Sequence, residues 1–302
     1  MIFLRVFIGL SIVFLGALVY LNPGILDPVF LADKVKGVTY FSGDQAASVR
    51  RIDNFQPAPD VTAKSAIVLD ATSGIPLFAK EALARHLPAS LAKLLTALVA
   101  LETCPLDQLV SVTSPNPEPS SMGLASGDVV TVESLLYGLL IASGNDAAFA
   151  LADACAPSQN QFVLAMNQKA RKLGMWDSHF ANPAGFDDIT QYTTVRDLAK
   201  LAKAAVSDQT IAKIVATKST VVNDVTGIKT YYLANLNKLI GVVYGTDGIK
   251  TGQTDGAQEN LVTKTARDGK TIITVVLGSE DRFSDSKKLI EWAFVNFSWL
   301  KS

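Results

Sequence analysis

Ser90 and Lys93 stand three residues apart in the segment Ser-Leu-Ala-Lys, which follows the pattern S-x-x-K. A serine hydroxyl is a weak nucleophile until a neighbouring base takes its proton. Residues i and i+3 share one face of a helix, so Lys93 would lie beside Ser90. Burial among apolar residues helps a lysine amine to lose its proton and act as that base. The pair therefore predicts a nucleophilic serine that is activated by a lysine.

The pattern S-x-x-K also arises by chance, and the chain contains it twice more, at Ser284/Lys287 and at Ser298/Lys301. Ser284 is better explained as the cap of the last helix. Short motifs have a high false-positive rate, and a single S-x-x-K is ordinarily a surface pair. Other elements must therefore distinguish Ser90 from these two serines.

Two further elements occur once each: S-G-N from Ser143 to Asn145, and K-T-G beginning at Lys250. They supply a second hydroxyl for proton transfer, an amide that can hold a substrate carbonyl, and an ammonium that raises the electrostatic potential of the site. Gly252, which follows Thr251, would let a substrate approach the backbone closely. The three patterns in this order correspond to the motif set of penicillin-binding proteins and β-lactamases.

The hydrophobic pattern predicts the elements that must position these residues. Leucines recur at helical spacing after Pro88, which predicts a helix from Ser90 to Glu102. Strands at both ends of the chain, with helices between them, indicate an α+β fold whose sheet joins the two ends. The remaining helices are predicted at about 132–141, 146–155, 160–173, 195–206, 208–216 and 285–298, and the strands at 66–70, 76–79, 261–265 and 272–277.

Composition excludes several classes of function. The net charge of −1 provides no general attraction for nucleic acid. His86 and His179 are the only histidines, which leaves few ways to build a His-based triad or a His-rich metal site. Cys104 and Cys155 have no CxxC spacing, so a zinc site is disfavoured; a disulfide and two buried thiols both remain open. We therefore expect no metal and no cofactor.

The N-terminal segment predicts where the protein works. Residues 2–21 are apolar except for Arg5 and Ser11, and the run is nearly long enough to span a bilayer. Positive charge precedes it, so the rest of the chain should lie outside the cytoplasm. We expect an anchor or signal at 1–22, a tether at 23–60, part of which can pack on the domain, and a catalytic domain at 61–302. The segment lacks a good cleavage site, which favours an anchor in the bacterial cytoplasmic membrane over a secreted protein.

The chain resembles the D-alanyl-D-alanine carboxypeptidases, which are low-molecular-weight penicillin-binding proteins of the serine S-x-x-K peptidase type. The resemblance extends from about Ala58 to about Phe297. It implies a β-lactamase/transpeptidase-like fold, with an antiparallel sheet flanked by helices and a helical subdomain. Besides the three motifs, it rests on the segments 66–70, 87–90, 127–128, 135–140, 145–148, 182–185 and 247–252.

The resemblance implies a role for each site residue. Ser90 would attack the bond between two D-alanines at the end of a peptidoglycan stem peptide, and β-lactams would be covalent inhibitors. Lys93, Ser143, Asn145 and Lys250 would be the other catalytic residues. The oxyanion hole would be formed by the backbone N–H groups of Ser90 and Gln253. Thr251, Gly252, Gln253 and Arg282 would bind the substrate, with Arg282 holding its terminal carboxylate.

Three alternative functions share parts of this pattern. The same site could cleave cross-linked stems as a DD-endopeptidase. A class A β-lactamase is disfavoured because no glutamate lies between Asn145 and Lys250 to activate the deacylating water. A non-catalytic wall-binding protein is disfavoured because all three motifs are intact.

Gln191 and Gln258 stand where the family often has histidine and glycine, and Gln258 could alter the substrate contacts.

Overall fold

The computed structural model describes residues 34–35, 38–40, 49–115 and 119–299, within which the following elements lie. The strands are β1 Lys34–Val35, β2 Val38–Tyr40, β3 Val49–Arg51, β4 Ser65–Asp70, β5 Pro76–Lys80, β6 Leu109–Ser111, β7 Val129–Thr131, β8 Ser219–Asn223, β9 Thr230–Ala234, β10 Thr246–Thr254, β11 Gln258–Arg267, β12 Lys270–Ser279 and β13 Phe297–Trp299. The helices are α1 Lys93–Thr103, α2 Val132–Leu140, α3 Asn145–Ala154, α4 Gln159–Lys172, α5 Val195–Ser207, α6 Gln209–Ala216 and α7 Arg282–Asn296.

One antiparallel sheet organises the fold, with the strand order β1-β2-β5-β4-β12-β11-β10. Strands from both ends of the chain meet at its centre, where β4 pairs with β12. The strand β10, which carries the K-T-G element, lies at one edge. Three two-stranded sheets accompany the main one: β3 with β13, β6 with β7, and β8 with β9.

Helices cover both faces of this sheet. Along β4, Ile67 faces a core that includes α1 and α5, whereas Val68 faces a second core that includes α7. Val275 and Val276 on β12 divide between the two cores in the same way. Side chains alternate between the faces of a strand, so a strand that is covered on both sides must be apolar throughout. The predicted α+β architecture is confirmed, and the larger core continues into the helical subdomain of α1 to α4.

The start of two helices differs from the prediction. Ser90 lies in a 3₁₀ turn, Ala89–Ala92, and α1 begins only at Lys93. Side chains at i and i+3 also align in a 3₁₀ turn, so the expected proximity is kept. The prediction that Ser284 caps the last helix is wrong: α7 begins at Arg282, and the carboxylate of Asp281 accepts the N–H groups of Phe283 and Ser284. An aspartate that reaches two orphan N–H groups is the better cap.

The predicted tether at 23–60 contains packed structure. The strand β2 extends the main sheet beside β5, and β3 pairs with β13 near the C-terminus. Phe55 packs edge-on against Trp292 and Phe297. The predicted anchor at 1–22 lies outside the described residues. Among the helices that are described, none is long and apolar enough to cross a membrane.

Cys104 and Cys155 form a disulfide, which decides between the two possibilities that the sequence leaves open. Cys104 is the C-cap of α1, and Cys155 is the C-cap of α3. The opposite ends of these helices begin at Lys93 and Asn145. The bond therefore ties together two helices whose first residues belong to the S-x-x-K and S-G-N elements.

We expect loss of this disulfide to destabilise the protein. The cysteines are 51 residues apart, and cross-linking such a loop stabilises a fold by about 2–4 kcal/mol, mainly by restricting the unfolded chain. The double variant Cys104→Ala/Cys155→Ala should therefore unfold at a lower urea concentration than the oxidised wild type. Reduced wild type, unfolded in the presence of thiol, is the control and should resemble the variant. Equal midpoints for the oxidised and reduced proteins would contradict this prediction.

Candidate active site

Ser90 and Lys93 lie in direct contact. The Nζ of Lys93 is 2.9 Å from the Oγ of Ser90, 2.8 Å from the Oδ1 of Asn145 and 2.6 Å from the carbonyl oxygen of Ala184. Lys93 is completely buried. Burial, and then the nearby charge of Lys250, lowers the pKa of Lys93 well below its usual value, against an opposing effect of Asp146. Burial therefore favours the neutral amine, which is the form that can act as a base.

The three partners of Lys93 define what its neutral form can do. The Asn145 Oδ1 and the Ala184 carbonyl can only accept hydrogen bonds. A neutral lysine has two N–H bonds and one lone pair, so these two acceptors take both N–H groups. The lone pair is then left for the third partner, the Ser90 hydroxyl, which can donate. In this arrangement the neutral amine could accept the proton of the Ser90 hydroxyl.

The N-terminus of α3 holds Asn145 in place. Asp146 is fully buried, and its carboxylate accepts the backbone N–H groups of Met122, Gly123 and Leu124. The Asn145 N–H donates to the carbonyl of Ser120. The loop before β7 and the start of α3 are thus fixed to each other. Asp146 follows the S-G-N element, and sequence analysis assigns it no role.

A tight turn supplies the Ala184 carbonyl. The Oδ1 of Asn182 accepts the N–H groups of Gly185 and Phe186, which closes the turn. Gly185 has a φ of 88°, and a Cβ there would lie 1.9 Å from the Ala89 carbonyl oxygen. Only glycine therefore lets this turn approach the segment that carries Ser90. The sequence singles out 182–185 through the family resemblance, but a backbone acceptor leaves no side-chain signature.

Ser143 and Lys250 form a second pair on the other side of the site. The Nζ of Lys250 donates to the Oγ of Ser143 at 2.8 Å and to the Thr251 carbonyl at 3.0 Å. Both residues are buried, and Ser143 is held at a φ of 60°, which is sparsely populated for a residue other than glycine. Burial, and secondarily the charge of Arg282, lowers the pKa of Lys250 to about 7.

The strand β10 lies close against the turn that carries Ser90. A Cβ on Gly252 would be 3.1 Å from the backbone N of Ser90 and 3.1 Å from the Pro88 carbonyl oxygen. Asn260, opposite Gly252 on β11, donates to the carbonyls of Leu87 and Pro88. The sheet therefore fixes the approach to Ser90, which includes Ala89 at a φ of 50°. Asn260 is a further positioning residue that the sequence analysis does not single out.

Arg282 reaches β10 from the start of α7. Its Nη1 donates to the Gly252 carbonyl at 2.9 Å and contacts the Oε1 of Gln253 at 3.4 Å. The structure thus brings the predicted substrate-binding residues together. Thr251, Gly252 and Gln253 lie on β10, and the side chain of Arg282 contacts this strand. Burial lowers the pKa of Arg282, and the carboxylates of Glu259 and Asp281 partly oppose this effect.

His86, one of the two histidines, makes its contacts outside this site. His86 contacts the Oγ of Ser65 at 2.7 Å and pairs through its backbone with Thr193. Burial lowers the pKa of His86, with a smaller effect from the charge of Lys64. Across the described ranges, no three His, Cys, Asp or Glu side chains are grouped so that they could hold a metal ion.

Comparison with known proteins places this geometry in a family. The model of the D-alanyl-D-alanine carboxypeptidase peptidase family matches residues 53–281, which include every residue of the site except Arg282. The chain belongs to this family. The match ends one residue before Arg282, so the family model does not extend to that arginine.

Members of the family from several bacteria are similar to this chain. It is 32% identical to the D-alanyl-D-alanine carboxypeptidase DacF of Bacillus subtilis and 35% identical to DacC of Escherichia coli. Each alignment covers 78% of this chain but only 63% and 62% of the relative, so the chain spans somewhat under two thirds of their length. A solved DD-transpeptidase from Streptomyces K15 superposes with a TM-score of 0.74 at 32% identity, over 80% of this chain and all of that one.

Proposed function

We propose that this protein is a serine-type D-Ala-D-Ala carboxypeptidase that trims peptidoglycan stem peptides through an acyl-enzyme on Ser90. The observation that carries the proposal is the contact of 2.9 Å between the Ser90 hydroxyl and a completely buried Lys93. Family membership supports the choice of substrate. Benzylpenicillin and other β-lactams would acylate the same serine.

Acylation follows from the arrangement of donors and acceptors. Neutral Lys93 takes the Ser90 proton as the Oγ attacks the carbonyl carbon of the penultimate D-alanine. Negative charge develops on the carbonyl oxygen, which the backbone N–H groups of Ser90 and Gln253 would stabilise. The Ser143 hydroxyl, held by Lys250, would give its proton to the leaving nitrogen and receive in return the proton that Lys93 took from Ser90, and the terminal D-alanine departs.

Deacylation requires water and a base. No glutamate lies between Asn145 and Lys250 in the sequence, so the route used by class A β-lactamases has no counterpart there. Lys93 regains its lone pair once its proton has passed to Ser143. It can then take a proton from water as the water attacks the ester carbonyl, and that proton returns to the Ser90 Oγ as the ester bond breaks. We expect this route to release a stem peptide but to leave penicillin bound for a long time.

The location of the protein is part of the proposal. The apolar run after Arg5 would hold the chain in the bacterial cytoplasmic membrane at 1–22, and 61–302 would work outside the cytoplasm. The disulfide between Cys104 and Cys155 supports this location, because such bonds persist in oxidising compartments and are rare in the cytosol.

A peptide assay tests the proposed activity. The protein is incubated with diacetyl-Lys-D-Ala-D-Ala, and free D-alanine is measured over time. We expect release by the untreated protein and none by protein that has first been acylated with benzylpenicillin, with the adduct located on Ser90 by peptide mass spectrometry. If the untreated protein takes up penicillin on Ser90 but releases no D-alanine, the carboxypeptidase proposal fails while the acylating serine stands.

A further inference from the structure

Glu259 places a negative charge directly beside Arg282. It lies on β11, opposite Gln253 of the K-T-G strand. Its Oε2 accepts the backbone N–H of Arg282 at 3.0 Å and lies 3.9 Å from the Nε of the same residue. The side chain of Glu259 is 27% exposed and that of Arg282 is 13% exposed. The ion pair is therefore largely screened from water, and it borders the edge where the substrate would bind.

Three acceptor groups lie near the guanidinium of Arg282. The Gly252 carbonyl and the Oε1 of Gln253 contact Nη1, and the Glu259 carboxylate approaches from the side of Nε. The Glu259 carboxylate therefore opposes part of the positive charge that Arg282 offers to a ligand. A substrate carboxylate that approached this guanidinium would also approach the Glu259 carboxylate, and like charges repel.

We infer that Glu259 is a specificity-determining residue, which weakens the attraction of Arg282 for the free C-terminal carboxylate of a stem peptide. The inference rests on the proposed function and extends it to the choice between substrates. With Arg282 partly neutralised, the site discriminates less between chains that end in a carboxylate and chains whose corresponding end is uncharged. Such a site would accept a broader range of stem ends than one with an unopposed arginine.

The variant Glu259→Gln tests the charge without removing the hydrogen bond. Glutamine keeps an oxygen that can accept the Arg282 N–H, and it differs little in size. We expect kcat/KM for diacetyl-Lys-D-Ala-D-Ala to rise about three- to tenfold, an effect in the range of a partly buried charge pair. The same tripeptide with a C-terminal amide should change less than about twofold, because it carries no charge for Glu259 to repel.

The matched control is Glu280→Gln. Glu280 is an exposed carboxylate two residues before Arg282, and its replacement changes the net charge by the same amount. We expect no selective gain for the carboxylate peptide in this control. Glu259→Thr, which suits a strand position, serves as a second variant in case the glutamine variant folds poorly. A gain shared equally by the acid and the amide, or a loss with the acid in both Glu259 variants, would overturn the inference.

A second readout separates this inference from the proposed function. Acylation of Ser90 by benzylpenicillin is compared with acylation by its methyl ester, which lacks the carboxylate. Both Glu259 variants should accelerate the acid selectively and the ester little. This comparison remains valid if the protein proves unable to release D-alanine, and the absence of any selective acceleration would refute the role of Glu259 on its own.

Discussion

Replacing Lys93 with methionine is expected to slow acylation of Ser90 by roughly a thousand- to ten-thousandfold, the upper range for general base catalysis. The methionine side chain is similar in length to the buried lysine side chain, but it has no nitrogen that could receive the proton. The Asn145 Oδ1 and the Ala184 carbonyl lose a donor as well, so some loss of stability should accompany the loss of rate. The measurement is the second-order rate constant for acylation by a fluorescent penicillin, and the variant Ser90→Ala gives the background rate.

Two comparisons show whether Lys93 acts as a base or only as a charge. Lys93→Arg keeps the positive charge but cannot give up its proton, so we expect it to be as slow as the methionine variant. Lys287→Met removes the exposed lysine of the Ser284/Lys287 pattern and should leave the rate unchanged. An arginine variant that acylated within tenfold of the wild-type rate would contradict the base mechanism.

The sequence predicts the parts of the site that are carried by side chains in short patterns. The S-x-x-K, S-G-N and K-T-G elements each occupy one segment, so their spacing can be read without knowledge of the fold. The expected proximity of Ser90 and Lys93 holds although the helix starts three residues later, because i and i+3 align in either kind of turn. A local rule is sufficient where the chemistry depends on local spacing.

The sequence does not predict the parts that depend on distant backbone groups. The Ala184 carbonyl contacts Lys93 across 91 residues, and Asn260 binds Pro88 across 172. A carbonyl oxygen is present at every residue, so only the folded chain selects one of them. The strand β2 is not predicted for a different reason, since three residues are too few to establish a hydrophobic period.

The apolar N-terminal run and the disulfide give independent support for one location. The first is a property of composition, and the second is a contact between two helix ends. Neither follows from the other. A cytosolic enzyme with the same catalytic residues would have little use for a bond that the cytosol tends to reduce.

Lys250 provides the second large effect that we expect. In the free enzyme its pKa of about 7 means that it is charged below neutral pH and loses its proton above it. Under the proposed function, the charged form would attract the substrate carboxylate and hold Ser143 in place. The kcat/KM for an anionic stem peptide should therefore fall as the pH rises above about 7, whereas kcat should fall only at higher pH, because a bound carboxylate raises the pKa of Lys250.

Replacing Lys250 with methionine should lower kcat/KM by about a hundred- to a thousandfold at pH 7, the cost of removing one electrostatic stabiliser from a buried site. The variant should also lose the alkaline decline, because the group that titrates is gone. Lys250→Arg, which stays charged at all accessible pH values, should be slower than wild type but equally flat above pH 7. If the alkaline decline persisted in both variants, another group would be responsible for it, and Lys250 would act only through its contact with Ser143.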